Sequence, residues 1–167
     1  MFYPSIIELK EVIIPLIEDF FDEENDPLPN YLENTIGISY VESWLEKIKT
    51  SYYPRFPDKA AALIININIG HFFENGNKRL SLVTFLFFIL NNGYDFNSYK
   101  KDAFRKKLNK LFPQYKEYVD KREFGPIESA YYNLSIIIAD HKRYVASHDE
   151  LKNKVKDFIK FSLKKKR

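Results

Sequence analysis

Nine of the eleven residues from Leu80 to Leu90 are apolar: Leu80, Leu82, Val83, Phe85, Leu86, Phe87, Phe88, Ile89 and Leu90. A helix built from them has no face to offer water, so it must sit in the middle of other elements. The run is too short to cross a bilayer. Asn91-Asn92-Gly93 stops it. Immediately before it stands a polar stretch, His71-Phe72-Phe73-Glu74-Asn75-Gly76-Asn77-Lys78-Arg79, and before that a second apolar helical pattern from Asp58 to Ile69. A polar loop is thus wedged between two helices that are destined for the core.

The remaining chain also reads as helices. Ser5 with Glu8 forms a capping box ahead of Ile6, Leu9, Ile13, Leu16, Ile17 and Phe20, with Pro15 expected to kink the run. An acidic loop with Pro27 and Pro29 ends it. Ser39 with Glu42 predicts a second start, with Val41, Trp44, Leu45 and Ile48 as the inward stripe. Tyr52-Tyr53-Pro54-Arg55-Phe56-Pro57 breaks the pattern, and Asp58 is expected to cap the next helix, with Ala60, Ala61, Leu63, Ile64 and Ile67 inward. Gly70 is expected to end that helix in the left-handed conformation. Further helices are expected from Ser98 to about Leu111, briefly after Pro113, from Gly125-Pro126 to about Tyr144, and from a third capping box at Ser147 and Glu150, with Leu151, Val155, Phe158 and Ile159 inward. The expected fold is all-α, about seven helices around a buried central one, in a single domain spanning 1–167.

The polar stretch carries the chemistry. A helix that starts near Gly76 points free N–H groups and the positive end of its dipole at the loop. Lys78 and Arg79 add full positive charge at the same end, which would destabilise the helix unless an anion sits there, and phosphate is the natural one. His71, at the loop's entry, is placed to take a proton from whatever attacks that phosphate. Asn75-Gly76 by itself suggests a hairpin, but its flanks are helical rather than alternating.

These nine residues resemble the Fic/Doc signature, H-x-F-x-[D/E]-[G/A]-N-[G/K]-R, with six of seven constrained positions matched by His71, Phe73, Gly76, Asn77, Lys78 and Arg79. The resemblance implies a Fic/Doc-like domain that moves a phosphate-containing group from ATP, or another nucleoside triphosphate, to a Ser, Thr or Tyr hydroxyl of a target protein. It implies His71 as general base and Phe73 as the buried anchor of the loop. Gly76, Asn77, Lys78 and Arg79 are implied as the nucleotide- and phosphate-binding residues. The family's acid holds Mg²⁺ against the phosphates, and here that position is Asn75, a neutral and weaker metal contact, with Glu74 beside it. The family also places a short hairpin flap, which aligns the target peptide, roughly where Tyr52, Tyr53, Arg55 and Phe56 lie.

Two departures bear on the transferred group. AMP-transferring Fic proteins carry Gly after the motif Asn and a second Arg three residues after the first; here Lys78 and Leu82 stand in those places. Both features resemble the Doc branch, death-on-curing toxins, so phosphorylation is favoured, with AMP transfer as the alternative and a non-catalytic nucleotide- or partner-binding relative as a second one. No Ser or Thr has Glu four residues on, so the family's self-inhibitory helix is not expected and a separate antitoxin protein is.

Composition excludes other classes. The chain has no cysteine, which suits a reducing cytoplasm, and no basic-then-apolar leader is visible at its start. His141 and His148 lack zinc-ligand spacing, and neither a P-loop nor a Rossmann fingerprint occurs. Net charge is only +3, but residues 1–35 hold nine acids and one base, while residues 148–167 hold eight bases and three acids. Solvated faces are the favoured reading of such runs, ahead of partner docking or contact between nucleic acid and the Lys164-Lys165-Lys166-Arg167 tail. Neither membrane nor nucleic acid is expected as a partner.

Overall fold

A computed structural model of the chain describes residues 1–21 and 27–166. Asp22, Glu23, Glu24 and Asp26 of the acidic run, the Phe20 side chain and Arg167 lie outside the described residues. Two compact units are present, Met1–Asn92 and Gly93–Arg167. Among the described residues there are seven helices and one sheet of two short strands. The all-α reading therefore holds.

Helix α1 (residues 6–21) opens on the Ser5–Glu8 capping box. Its second turn, Leu9–Ile13, is π-helical, with Ile14 N–H donating to the Leu9 carbonyl five residues back. Pro15 follows directly and has no N–H to give, so the wider turn lies where the ordinary ladder must be interrupted. Helix α2 (Thr35–Lys47) starts four residues before the expected Ser39, because Asn34 caps it by accepting from Gly37 N–H at 2.7 Å. Ser39 instead donates back to the Ile36 carbonyl.

Helix α3 (Phe56–Ile69) begins before Asp58, on Arg55 as N-cap. Asp58 sits in the first turn and accepts from Arg55 Nε at 3.0 Å. Lys59 is buried, and its ammonium donates to the carbonyls of Ile48 and Thr50 just beyond α2. A lysine at that place satisfies carbonyls that the helix leaves orphaned. Lys59→Met keeps the volume and strands the Ile48 carbonyl, while the Thr50 carbonyl keeps the Tyr53 N–H, so it should lower stability by about 1–3 kcal/mol. Thermal unfolding measures this; an unchanged Tm would show that water replaces the ammonium.

Helix α4 (Asn77–Asn91) packs along α3 and against α1. Phe88 stacks on Phe56 at 5.2 Å, and Phe85, Phe88 and Ile89 are inaccessible to solvent. The chain start is tied to the far end of this helix by paired bonds between the Asn92 amide and the Phe2 backbone.

In the second unit α5 (Lys101–Leu111), α6 (Pro126–Ala139) and α7 (His148–Ser162) pack together. Helix α5 starts after Lys100 rather than at Ser98, and α6 ends at Ala139, followed by a 3-10 turn, His141–Arg143. No helix forms after Pro113 among the described residues; that stretch is pinned instead by buried Asn133, which accepts from Tyr115 OH and Val119 N–H and donates to the carbonyls of Val119 and Ser129. Strands β1 (Tyr94–Phe96) and β2 (Leu163–Lys165) pair antiparallel, with Asp95 opposite Lys164. No sequence pattern announced them, since each is only three residues long. No helix among the described residues is long and apolar enough to cross a membrane.

Candidate functional site

The site is the turn between α3 and α4. Helix α3 does not end as expected. Gly70 keeps right-handed dihedrals, φ −70° and ψ −16°, and the left-handed residue is His71 itself, at φ 49°. Gly70 is needed for a different reason: a Cβ there would lie 2.2 Å from the Phe72 ring. A non-glycine residue in this region is uncommon, although His tolerates it better than most. The consequence is that His71 is exposed while Phe73, two residues on, is buried at 3%.

The far end of the turn is also left-handed. Gly76, at φ 74°, is the N-cap of α4, and no side chain caps that terminus. The first turn of α4 contains no acid either. In contrast, α1, α2 and α7 are capped by Ser5, Asn34 and Ser147, and the uncapped α3, α5 and α6 carry Asp58, Asp102 and Glu128 in their first turns. The N-terminus of α4 therefore presents backbone N–H groups and positive dipole with no capping side chain and no acid in its own first turn. Lys78 is exposed there and Arg79 half-buried.

The turn is braced from within by Asn77. Its Oδ1 accepts from Phe73 N–H at 3.2 Å and its Nδ2 donates to the Phe73 carbonyl at 2.7 Å. Asn77 is buried, and its side-chain amide, expected to contact phosphate, is bonded to the loop backbone. Glu74 and Asn75 are both exposed. Among the described residues no group of three His, Cys, Asp or Glu comes together to hold a metal. One neutral amide and one neighbouring carboxylate do not make a protein metal site; Mg²⁺ would arrive as the counter-ion of a nucleotide's phosphates.

A second brace was not foreseen from the sequence. It is the segment from Pro29 to Tyr40. Tyr31, inaccessible to solvent, donates its hydroxyl to the Gly76 carbonyl at 2.9 Å and meets Phe73 edge-on at 4.9 Å. Asn34 Nδ2 donates to the Phe72 carbonyl, and Tyr40 stacks on Phe72 at 5.4 Å. Gly37 leaves room for the turn, since a Cβ there would lie 2.6 Å from the Phe72 carbonyl oxygen. One Tyr in a Pro-rich loop has no periodicity to betray it. Asn34, three residues before Gly37 and ahead of Ile38, Val41 and Leu45, was a readable N-cap.

The expected flap takes another form. Residues 48–55 make turns, not a hairpin, because Pro54 and Pro57 each withhold an N–H and Phe56 is already the first residue of α3. Phe56 and Tyr53 are buried, and burial, with Tyr52 alongside, raises the Tyr53 phenol's pKa. Only Tyr52, 70% exposed, and Arg55 offer themselves to a partner, and Arg55 is engaged with Asp58.

Residues 10–89 match the model of the Fic/DOC family, a span that runs from within α1 to within α4 and includes the whole turn. Over this stretch, a little under half of the chain, the protein is similar to the Fic/DOC family. The likeness supports a Fic-type transferase in general terms. Neither a curated protein nor a solved structure matches the chain.

Proposed function

We propose that the domain transfers the terminal phosphoryl group of ATP to a Ser, Thr or Tyr hydroxyl of a target protein. The observation that carries this reading is the turn bounded by two left-handed residues. One end exposes the His71 imidazole, and the other opens the uncapped, cation-flanked N-terminus of a buried helix. Such an end binds a phosphate through N–H groups that need no rearrangement. In the step itself, the target's hydroxyl oxygen bonds to the γ-phosphorus while the bond from that phosphorus to the β–γ bridging oxygen breaks. ADP leaves with the electron pair, and the hydroxyl proton passes to an imidazole nitrogen of His71. Gly76 lets the backbone turn left-handed into α4, and Lys78 and Arg79 neutralise the phosphate.

Phosphoryl rather than AMP transfer is supported by Lys78 and Leu82, which place a bulky cation in the anion site and remove a charge that would hold the outer phosphates. A toxin role in the cytoplasm, blocked by a separate antitoxin, is supported by the lack of any Ser or Thr with Glu four residues on and of any cysteine. ATP labelled at the γ- or the α-phosphate, incubated with the protein and a cell lysate, tests the reaction. Label from the γ-phosphate alone should reach protein. Label from the α-phosphate alone would refute phosphorylation in favour of AMP transfer. Binding of ATP without either label reaching protein would leave a non-catalytic relative.

A further inference from the structure

The Gly76 carbonyl accepts two hydrogen bonds, from Leu80 N–H at 3.0 Å, the first rung of α4, and from Tyr31 OH at 2.9 Å. One bond is what any helix provides. The second comes from a fully buried phenol forty-five residues earlier. A peptide unit is planar, so fixing its C=O along the helix also fixes the N–H on its other side. That N–H belongs to Asn77, the first helical residue, and it points away from the helix past its N-terminus. It is one of the donors that a phosphate at this end would meet.

We propose that Tyr31 is a positioning residue for the anion site: its hydroxyl locks the Gly76–Asn77 peptide so that the Asn77 N–H is aimed at the bound phosphate. The contact has little slack. A Cβ on Gly76 would lie 2.3 Å from the Tyr31 oxygen and 2.8 Å from Pro29 Cδ, so the phenol and the peptide are in direct apposition. Asn77 holds the loop from the opposite side through Phe73, whose ring is in turn covered by Tyr31. Phosphate affinity thereby depends on the segment around Tyr31, which lies outside the signature. This inference rests on the phosphate-binding reading of the turn.

The test compares the full chain with its Tyr31→Phe variant, which keeps the ring against Phe73 and removes only the hydroxyl. The probe is inorganic tripolyphosphate, measured by calorimetry and by the amide resonances of ¹⁵N-labelled protein. The wild type should bind, with the Asn77 amide among those that move. Tyr31→Phe should bind about three- to tenfold more weakly, the equivalent of one hydrogen bond, while its unfolding midpoint stays within a few degrees. A variant that binds as tightly as the wild type, whether or not it is less stable, overturns the role of Tyr31 and leaves the site standing. If the variant does not fold, the wild-type titration decides: an Asn77 amide that stays still while Lys78 moves overturns the proposal. If the wild type binds no tripolyphosphate, the phosphate-binding reading falls, and the role of Tyr31 with it.

Discussion

His71→Asn should lower the rate of transfer to protein by about 10²–10⁴-fold, the usual worth of a positioned general base. Asn is the cleaner replacement here because His71 sits at φ 49°, a conformation that Asn adopts with little strain and Ala does not. The unfolding midpoint should therefore stay where it is for His71→Asn and fall slightly for His71→Ala, while both lose transfer equally. Binding of ATP should change little, since the proposed phosphate site is at the other end of the turn. Label transfer from ATP, followed alongside thermal unfolding, checks all of this. Transfer by His71→Asn at the wild-type rate would remove the imidazole from the reaction.

The second large effect is expected at Gly76. Two glycines share the same left-handed backbone, Gly76 at φ 74° and Gly93 at φ 73°. A Cβ at Gly93 would meet nothing within 4 Å, whereas one at Gly76 would collide with Tyr31 and Pro29. Gly93→Ala should cost only the conformational term, about 1–2 kcal/mol. Gly76→Ala should cost that and the displacement of a buried side chain, about 1–3 kcal/mol more by analogy with overpacked cores. It should also abolish ATP binding, because the N-terminus of α4 can no longer keep its place against Tyr31. Paired unfolding and binding measurements separate the two terms. Equal losses of stability at the two glycines would show that the Tyr31 side of the turn yields readily, and the brace would then be weak.

Much of the fold could be read from local pattern. The apolar run from Leu80 to Leu90 dictated a central helix by itself, because no arrangement other than burial hides a helix that is apolar on every side. The capping box at Ser5 and the cap at Ser147 were legible for a similar reason: their partners lie three residues away, within the reach of a local rule. The identities of His71, Phe73, Gly76 and Asn77 carried the site, since each is a residue type that such a turn demands.

Tertiary structure decided what depends on partners distant in sequence. Whether Gly70 or His71 takes the left-handed conformation is not set by glycine's freedom alone. It is settled by the Phe72 ring, which lies over Gly70 and against Tyr40, and by the burial of Phe73 under Tyr31. The hydroxyl of Tyr31 on the Gly76 carbonyl and the ammonium of Lys59 beyond the end of α2 are of the same kind. The ammonium satisfies carbonyls beyond the end of α2, and the hydroxyl adds a second bond to a carbonyl that Leu80 N–H already uses. Sequence periodicity records which face of an element is buried, but not which polar atom of a remote segment arrives there. The sequence alone thus determined the helices and the residue types of the turn. The packing of residues 29–40 against that turn determined which of its atoms are fixed and which remain exposed.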